Sequence, residues 1–280
     1  MTQARRRAYD ALVLDVDGTL LDDDRQIPEH VRATLARARA AGVVVMLATG
    51  RSTLGCRPVS LSLGLDTPAI VYNGAAAYDA VHDRVIEQRT LPRRTVVRLL
   101  DRFADEALTV VSRPDGQFCG SPRTSHERRI LADYRNLKRA QFGTFPVEGV
   151  FRVTLLSENH AAGALLTDVR RALDTPAYLT HFRLNLLSQF RDSHMHVVDV
   201  QPDCRGKAEA MRVLQERHGI PTERVVAVGD ADNDIPMLHA AGLGVAMGNA
   251  TPDARAAADR VIGRNTEGAL AGLVEELFLG

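Results

Sequence analysis

Apolar positions along the chain fall into short, near-continuous runs, each closed by a glycine or a small polar residue. Residues 11–14 run into Asp15, residues 43–47 into Thr49-Gly50, residues 69–72 into Asn73-Gly74, and residues 225–228 into Gly229-Asp230. Runs without period-two alternation suit parallel strands covered on both faces. Helical patterns lie between them. One is predicted over 28–41, with Pro28 at its start and Gly42 past its end. Another is predicted over 207–218. Strand, helix, strand repetition predicts an α/β fold built on a doubly wound parallel sheet.

The middle of the chain reads differently. Longer helical patterns at 92–107, 125–138 and 161–173 alternate with strand candidates at 108–112, 151–156 and 195–200. This pattern predicts an α+β insertion between two halves of the α/β core. The expected division is a core over 1–84 and 201–280 with an inserted domain over 85–200. A chain of 280 residues is near the size at which one core becomes two. There are no internal repeats and no low-complexity tract.

Composition adds limits rather than identity. Hydrophobic residues make up 45% and charged residues 25%, the balance of a folded soluble protein. Thirty-five Lys and Arg offset 35 Asp and Glu, which argues against a dedicated nucleic-acid binder. No apolar run approaches a membrane span. The basic start is followed by a stretch too short and too acidic for a signal peptide. Three scattered cysteines without a CxxC pair point to a reducing, cytoplasmic location. Residues 84–200 hold 18 Lys and Arg against 13 Asp and Glu, so a basic insert offsets an acidic remainder. Only Lys138 and Lys207 are lysines; the other basic residues are arginine.

The chemistry-bearing residues sit where the apolar runs end. Asp15-Val16-Asp17-Gly18-Thr19 places two carboxylates one residue apart at the carboxyl end of a strand, where α/β sheets bind ligands. One can ligate a hard cation or attack an electrophile, and the other can move a proton. Gly229-Asp230-Ala231-Asp232-Asn233-Asp234 is a second acidic strand end. It lacks the glycine and glutamate of a calcium loop, holding Ile235 and Ala241 there, but it suits a magnesium site. Thr49-Gly50-Arg51 offers a hydroxyl and backbone N–H groups at a helix start, a phosphate cradle. Lys207 offers a compact charge for neutralising phosphate and carboxylate together.

Taken together, these stretches resemble the haloacid dehalogenase-like phosphatases, in particular the Cof-type members with a subtype IIB cap. The family's DxDGT motif matches Asp15, Asp17, Gly18 and Thr19. Its strand-closing threonine matches Thr49, and its lysine matches Lys207. Its GDxxNDxxM motif matches Gly229, Asp230, Asn233, Asp234 and Met237. Asn73-Gly74-Ala75, the stretch Gly244 to Ala250, and the ending around Asn265, Glu267 and Gly268 are also Cof-like. Ala208 departs from the pattern, since many members carry glycine there. The resemblance implies a Rossmannoid core with an inserted cap and a Mg²⁺-dependent phosphatase of small phosphorylated metabolites. Asp15 is then the nucleophile, forming an aspartyl-phosphate, and Asp17 the general acid and base. Mg²⁺ is held by Asp15, the Asp17 backbone carbonyl and Asp230, with Asp234 close by. Thr49, Gly50, Lys207 and Asn233 hold phosphate, and Thr19 supports the loop. Asn73, Arg51 and Arg183 are candidate substrate contacts.

Other readings are weaker. His194 and His196 fall on one face of a strand without a third metal ligand. There is no Walker loop and no GxGxxG. Of the insert's arginines (Arg123, Arg128, Arg129, Arg135, Arg139 and Arg183), one or two are expected to grip an anion. A phosphosugar mutase of the same fold, or a non-catalytic binder of phosphometabolites, are the alternatives to a phosphatase. The expected partner is a small phosphorylated metabolite, with no nucleic acid and no membrane, for a monomer or homodimer. The substrate itself stays open among sugar phosphates, nucleotides, pyridoxal phosphate and flavin-pathway phosphates.

Overall fold

The computed structural model describes residues 7–134, 136–141, 143–158, 163–186 and 190–280. The chain divides into two compact units, one reaching to Ile86 and resuming at Arg205, the other spanning Glu87–Cys204.

The first unit opens with β1 (Ala11–Leu14), α1 (Glu29–Ala40), β2 (Val44–Leu47), α2 (Thr53–Ser62), β3 (Ala69–Val71), β4 (Ala76–Asp79) and β5 (Arg84–Gln88). The insert then adds α3 (Arg93–Phe103), β6 (Leu108–Arg113), β7 (Gly116–Cys119), α4 (Ser125–Ala132), β8 (Leu137–Arg139), β9 (Arg152–Ser157), α5 (Ala164–Ala172), β10 (Ala177–Arg183) and β11 (His196–Pro202). The first unit closes with α6 (Glu209–His218), β12 (Val225–Gly229), α7 (Ile235–Ala240), β13 (Leu243–Ala246), α8 (Pro252–Ala257), β14 (Arg260–Val261) and α9 (Ala269–Val274).

The main sheet runs β14-β13-β12-β1-β2, and every pairing in it is parallel. Its strands are short and apolar because both faces are covered. All four residues of β1 and all five of β12 are buried. One face packs Ala11, Val13, Met46, Val225 and Ala227 against Ala210, Met211 and Leu214 of α6 and Met237 and Leu238 of α7. The chain leaves β1 toward β2 on one side and returns as β12 on the other. Strand order therefore reverses at β1, the position where such sheets open a crevice at their carboxyl ends. Register sharpens this: Leu14 pairs with Val228 and with Leu47, so Asp15, Gly229 and Ala48 arrive level at one edge. A smaller sheet, β3-β4-β5, touches the main one through a bridge between Ala48 and Ile70.

The insert is a six-stranded sheet ordered β10-β11-β9-β6-β7-β8, antiparallel except for the parallel β7–β8 pair. One face carries α3 and α5, where Val96, Leu99, Phe103, Leu165 and Val169 meet Val111, Val153, Leu155, Val198 and Val200. The other face carries α4, where Ile130 and Leu131 meet Val110, Leu156 and Val197.

Element placement departs from expectation mainly here. The helix predicted over 125–138 stops at Ala132, and residues 137–139 form β8 instead. The helix closes on a right-handed Asp133, and Asn136, directly before β8, takes a left-handed backbone (φ 52°) with no glycine or proline to announce the turn. The helix predicted over 92–107 ends at Phe103. That predicted over 161–173 is seen as Ala164–Ala172, its first two predicted residues lying outside the described ones. Strands β4, β5, β7, β8, β10, β13 and β14 were not anticipated.

Candidate active site

The site begins with the turn after β1. Asp15 N donates to Val228 O (3.0 Å), fixing the first acidic residue against β12. Gly18 is left-handed (φ 83°), and a Cβ there would lie 2.4 Å from Asp230 Oδ2. Only glycine allows the two acidic loops to approach this closely. Thr19 Oγ1 then donates to Asp230 Oδ1 (3.0 Å). Two asparagines clamp the turn from below: Asn249 Nδ2 donates to Gly18 O (2.8 Å) and Asn265 Nδ2 to Leu21 O (2.7 Å). Asn265 N in turn donates to Asn249 Oδ1 (3.0 Å). Sequence reasoning gave neither asparagine a role, although both lie in the Cof-like stretches.

Lys207 sits in a single turn of 3₁₀ helix, Gly206–Ala208, ahead of α6. Lys207 is 1% exposed, and its ammonium donates to Asp15 Oδ1 and to Asp234 Oδ1, each at 2.6 Å. Burial alone would lower its pKa, but the charges of Asp15 and Asp234 outweigh burial and raise it. Asp234 is fully buried, and its Oδ2 accepts from the backbone N–H groups of Asp230 and Ala231, each at 2.9 Å. Asp234 thus shapes its own loop while anchoring Lys207.

Asp15, Asp230 and Asp234 each present a carboxylate oxygen within 4.8 Å of the others. Burial, with the nearby carboxylates adding to it, pushes the Asp15 carboxyl up to about 7 and the Asp230 carboxyl well above its usual range. Asp15 and Asp234 are buried and Asp230 is half-buried, so three carboxyl groups share one ammonium. An all-oxygen donor set with surplus negative charge fits a hard divalent cation.

Thr49 follows β2 and is 1% exposed; its Oγ1 accepts from Arg51 N (3.1 Å), which leaves the hydroxyl hydrogen available to a ligand. The Arg51 guanidinium turns back as a fork onto Asp17, Nε donating to Oδ2 (2.7 Å) and Nη2 to Oδ1 (2.6 Å). Its pKa is raised, because the hydrogen bond and charge of Asp17 outweigh burial. Arg51, expected as a substrate contact, thus holds the second aspartate of the first motif.

A third strand end closes the group. Tyr72, Asn73 and Gly74 after β3 all take positive φ (51°, 51° and 100°). For a buried aromatic residue this is uncommon, and each such residue costs roughly 1–3 kcal/mol. Asn233 Nδ2 donates to Asn73 Oδ1 (3.0 Å). Asp15, Asp17, Thr49, Gly50, Asn73, Lys207, Asp230, Asn233 and Asp234 therefore all belong to the first unit, on loops joined by these contacts.

The remaining candidates lie in the insert. Arg183 is the exposed last residue of β10. Arg123 pairs with Glu127 (3.1 Å), Arg129 donates to His126 Nδ1 (2.9 Å) and Arg139 to Gly120 O (3.0 Å). Arg128 is exposed, and Arg135 lies outside the described residues. His196 stacks on His181 with ring centroids 5.5 Å apart. An open groove of about 570 Å³ runs along α3, but Arg94 and Arg98 on it are paired with Asp174 and Arg102 with Glu106. Among the described residues no helix is long and apolar enough to cross a membrane.

Comparison with known proteins places this geometry. The family model of haloacid dehalogenase-like hydrolases matches residues 12–274. The pyridoxal phosphate phosphatase YbhA of Escherichia coli (strain K12) is 33% identical over 267 residues, 93% of this chain and 95% of that protein. The 5-amino-6-(5-phospho-D-ribitylamino)uracil phosphatase YitU of Bacillus subtilis (strain 168) is 28% identical, over 95% of this chain and 97% of its own. The crystal structure of a haloacid dehalogenase-like hydrolase from Bacteroides thetaiotaomicron superposes with a TM-score of 0.78 at 25% identity, covering 96% of this chain and all of that one. A family match spanning nearly the whole chain, joined to a parallel sheet with its acidic loops level at one edge, shows that this chain belongs to the haloacid dehalogenase-like hydrolases.

Proposed function

We propose that the chain is a cytoplasmic, Mg²⁺-dependent phosphatase of small phosphorylated metabolites that works through an aspartyl-phosphate on Asp15. The observation that carries this reading is the buried Lys207 ammonium, 2.6 Å from both Asp15 and Asp234, beside three clustered carboxylates. Such an arrangement keeps Asp15 close to positive charge while leaving room for an anionic substrate to be neutralised.

Asp15 attacks phosphorus as the ester P–O bond breaks, and Asp17 gives its proton to the departing alkoxide. Water then attacks the phosphorus of the aspartyl-phosphate and loses a proton to Asp17. Inorganic phosphate leaves and the Asp15 carboxylate is restored. Lys207 and the Thr49 hydroxyl stabilise the charge on the transferring phosphoryl oxygens, with the Gly50 N–H beside them; Asn233, its Nδ2 given to Asn73, adjoins them with a carbonyl oxygen unpaired among the described residues. The fork from Arg51 holds Asp17 in one orientation, and one of its two bonds must loosen for the proton to move. Asp15, Asp230 and the Asp17 backbone carbonyl would hold Mg²⁺, with Asp234 adjoining. The ion would supply Lewis-acid neutralisation of phosphoryl oxygen.

The relatives named above act on pyridoxal phosphate and on a phosphorylated ribitylamino-uracil, both phosphate monoesters. The substrate class proposed for this chain is accordingly a metabolite phosphomonoester. Hydrolysis of p-nitrophenyl phosphate with Mg²⁺, its loss in EDTA, and its loss in Asp15→Asn test the reading. A panel of sugar, nucleotide and pyridoxal phosphates, ranked by kcat/KM, then identifies the substrate. Metal-independent turnover, or full activity in Asp15→Asn, would overturn it.

A further inference from the structure

The turn after β3 has no place in the chemistry above, yet three successive residues in it, Tyr72, Asn73 and Gly74, take positive φ. Its backbone is tied to the phosphate-cradle loop by two hydrogen bonds, Tyr72 N to Arg51 O and Asn73 N to Thr49 O, each at 3.0 Å. The Asn73 amide also packs on that loop: a Cβ at Gly50 would lie 3.1 Å from Asn73 Oδ1 and 3.3 Å from Nδ2. On its other side Asn73 Oδ1 accepts from Asn233 Nδ2 (3.0 Å). Asn73 itself is 2% exposed. One buried amide therefore touches two loops that the chain sequence separates by about 180 residues, the one at Thr49-Gly50 and the one at Asp230–Asp234.

Asn233 shows what this achieves. With Nδ2 committed to Asn73, its Oδ1 is buried and has no hydrogen-bond partner among the described residues. An acceptor left in that state is costly unless a donor arrives with a ligand. A left-handed asparagine fits the junction, since this residue type tolerates positive φ better than other side chains of its size.

We propose that Asn73 is a positioning residue, a brace that fixes the Asn233 amide and locks the Thr49-Gly50 loop to the acidic loop, so that the Asn233 carbonyl accepts from a donor on the bound phosphorylated molecule or its water. Asn73 acts through Asn233 rather than on the reacting atoms. The proposal rests on the phosphatase reading for the identity of the ligand, but not for the coupling itself.

The test is a cycle of Asn73→Gly, Asn233→Ala and the double variant. Glycine keeps the left-handed backbone and removes only the amide. Two readouts are taken: the affinity for inorganic phosphate by calorimetry in the presence of Mg²⁺, and kcat/KM for an aryl phosphate. Each single change is expected to weaken both by about 10-fold or more, as for other groups that orient a site residue. The double variant should be no weaker than Asn233→Ala alone. In an Asn73→Asp background, where a carboxylate oxygen still accepts from Asn233 Nδ2, Asn233→Ala should again cost its full factor. Additive losses in the double variant, or wild-type phosphate affinity in Asn73→Gly, would overturn the brace. Urea midpoints identify any variant that fails to fold, and the Asn73→Asp arm then decides. If the wild-type chain binds phosphate but does not turn over, the phosphatase reading fails and the titration still judges the coupling.

Discussion

Lys207 illustrates how much a single residue can settle. As one of only two lysines in an arginine-rich chain, it stands out in sequence, and the structure puts its ammonium between two buried carboxylates. Arginine is longer and planar and cannot place one compact charge there. Lys207→Met is expected to lower kcat by ~10²–10³-fold, as loss of an aimed donor to the transition state does. It should also destabilise the fold by ~3–5 kcal/mol, because Asp15 and Asp234 lose their shared cation. Steady-state kinetics and urea titration check the two effects separately. Cysteine reactivity gives a second prediction at this scale. Burial pushes the Cys56 thiol up to about 11 from a usual 9.0, whereas Cys204 is half-buried. Maleimide at pH 7.5 should label Cys204 first and reach Cys56 only after unfolding. Raised folded pKa means that stability from the neutral Cys56 thiol is complete below about pH 9 and is lost as pH climbs toward 11. Early labelling of Cys56 in the native protein would contradict its burial.

At the scale of elements, the core strands were readable because physical necessity and sequence pattern coincide. A strand buried on both faces must be apolar throughout, and residues 11–14 and 225–228 are. The insert resisted the same reading. Its strands β7, β8 and β10 mix polar and apolar residues, and the chain passes from α4 into β8 through a left-handed Asn136 that pattern alone does not mark. The start of α4 is better signposted: Thr124 Oγ1 accepts from Glu127 N (3.0 Å), and the Glu127 side chain reaches back to the Thr124 N–H. Thr124→Ala should cost about 1 kcal/mol in a denaturant melt, with wild-type turnover of an aryl phosphate. In the site, Asp15, Thr49 and Asp230 were identifiable from strand ends, and Lys207 from a helix start and the scarcity of lysine. The clamps at Asn249 and Asn265 and the Arg51–Asp17 fork were not, since each depends on a long-range contact with no local signature.

For the whole molecule, electrical neutrality conceals a division. The insert region 84–200 carries the surplus of basic residues and the remainder the surplus of acidic ones, three of which converge at Asp15, Asp230 and Asp234. Concentrating buried negative charge in one place costs folding free energy unless a cation joins it. Mg²⁺ at a hundredfold excess over its Kd should therefore raise the unfolding free energy by about 2.7 kcal/mol, and Asp230→Asn should abolish most of that gain. Thermal melts with Mg²⁺ and with EDTA measure it; an unchanged melting temperature would argue that the carboxylates hold no ion.

The central claim is that phosphate passes through Asp15. Acid-quenching the Mg²⁺-loaded protein during turnover of a radiolabelled phosphomonoester, followed by peptide mapping, tests it most directly. The expected result is one labelled peptide containing Asp15, with the base-labile bond of an acyl phosphate and no label in Asp15→Asn. Label on any other residue, or steady turnover by Asp15→Asn, would contradict the account.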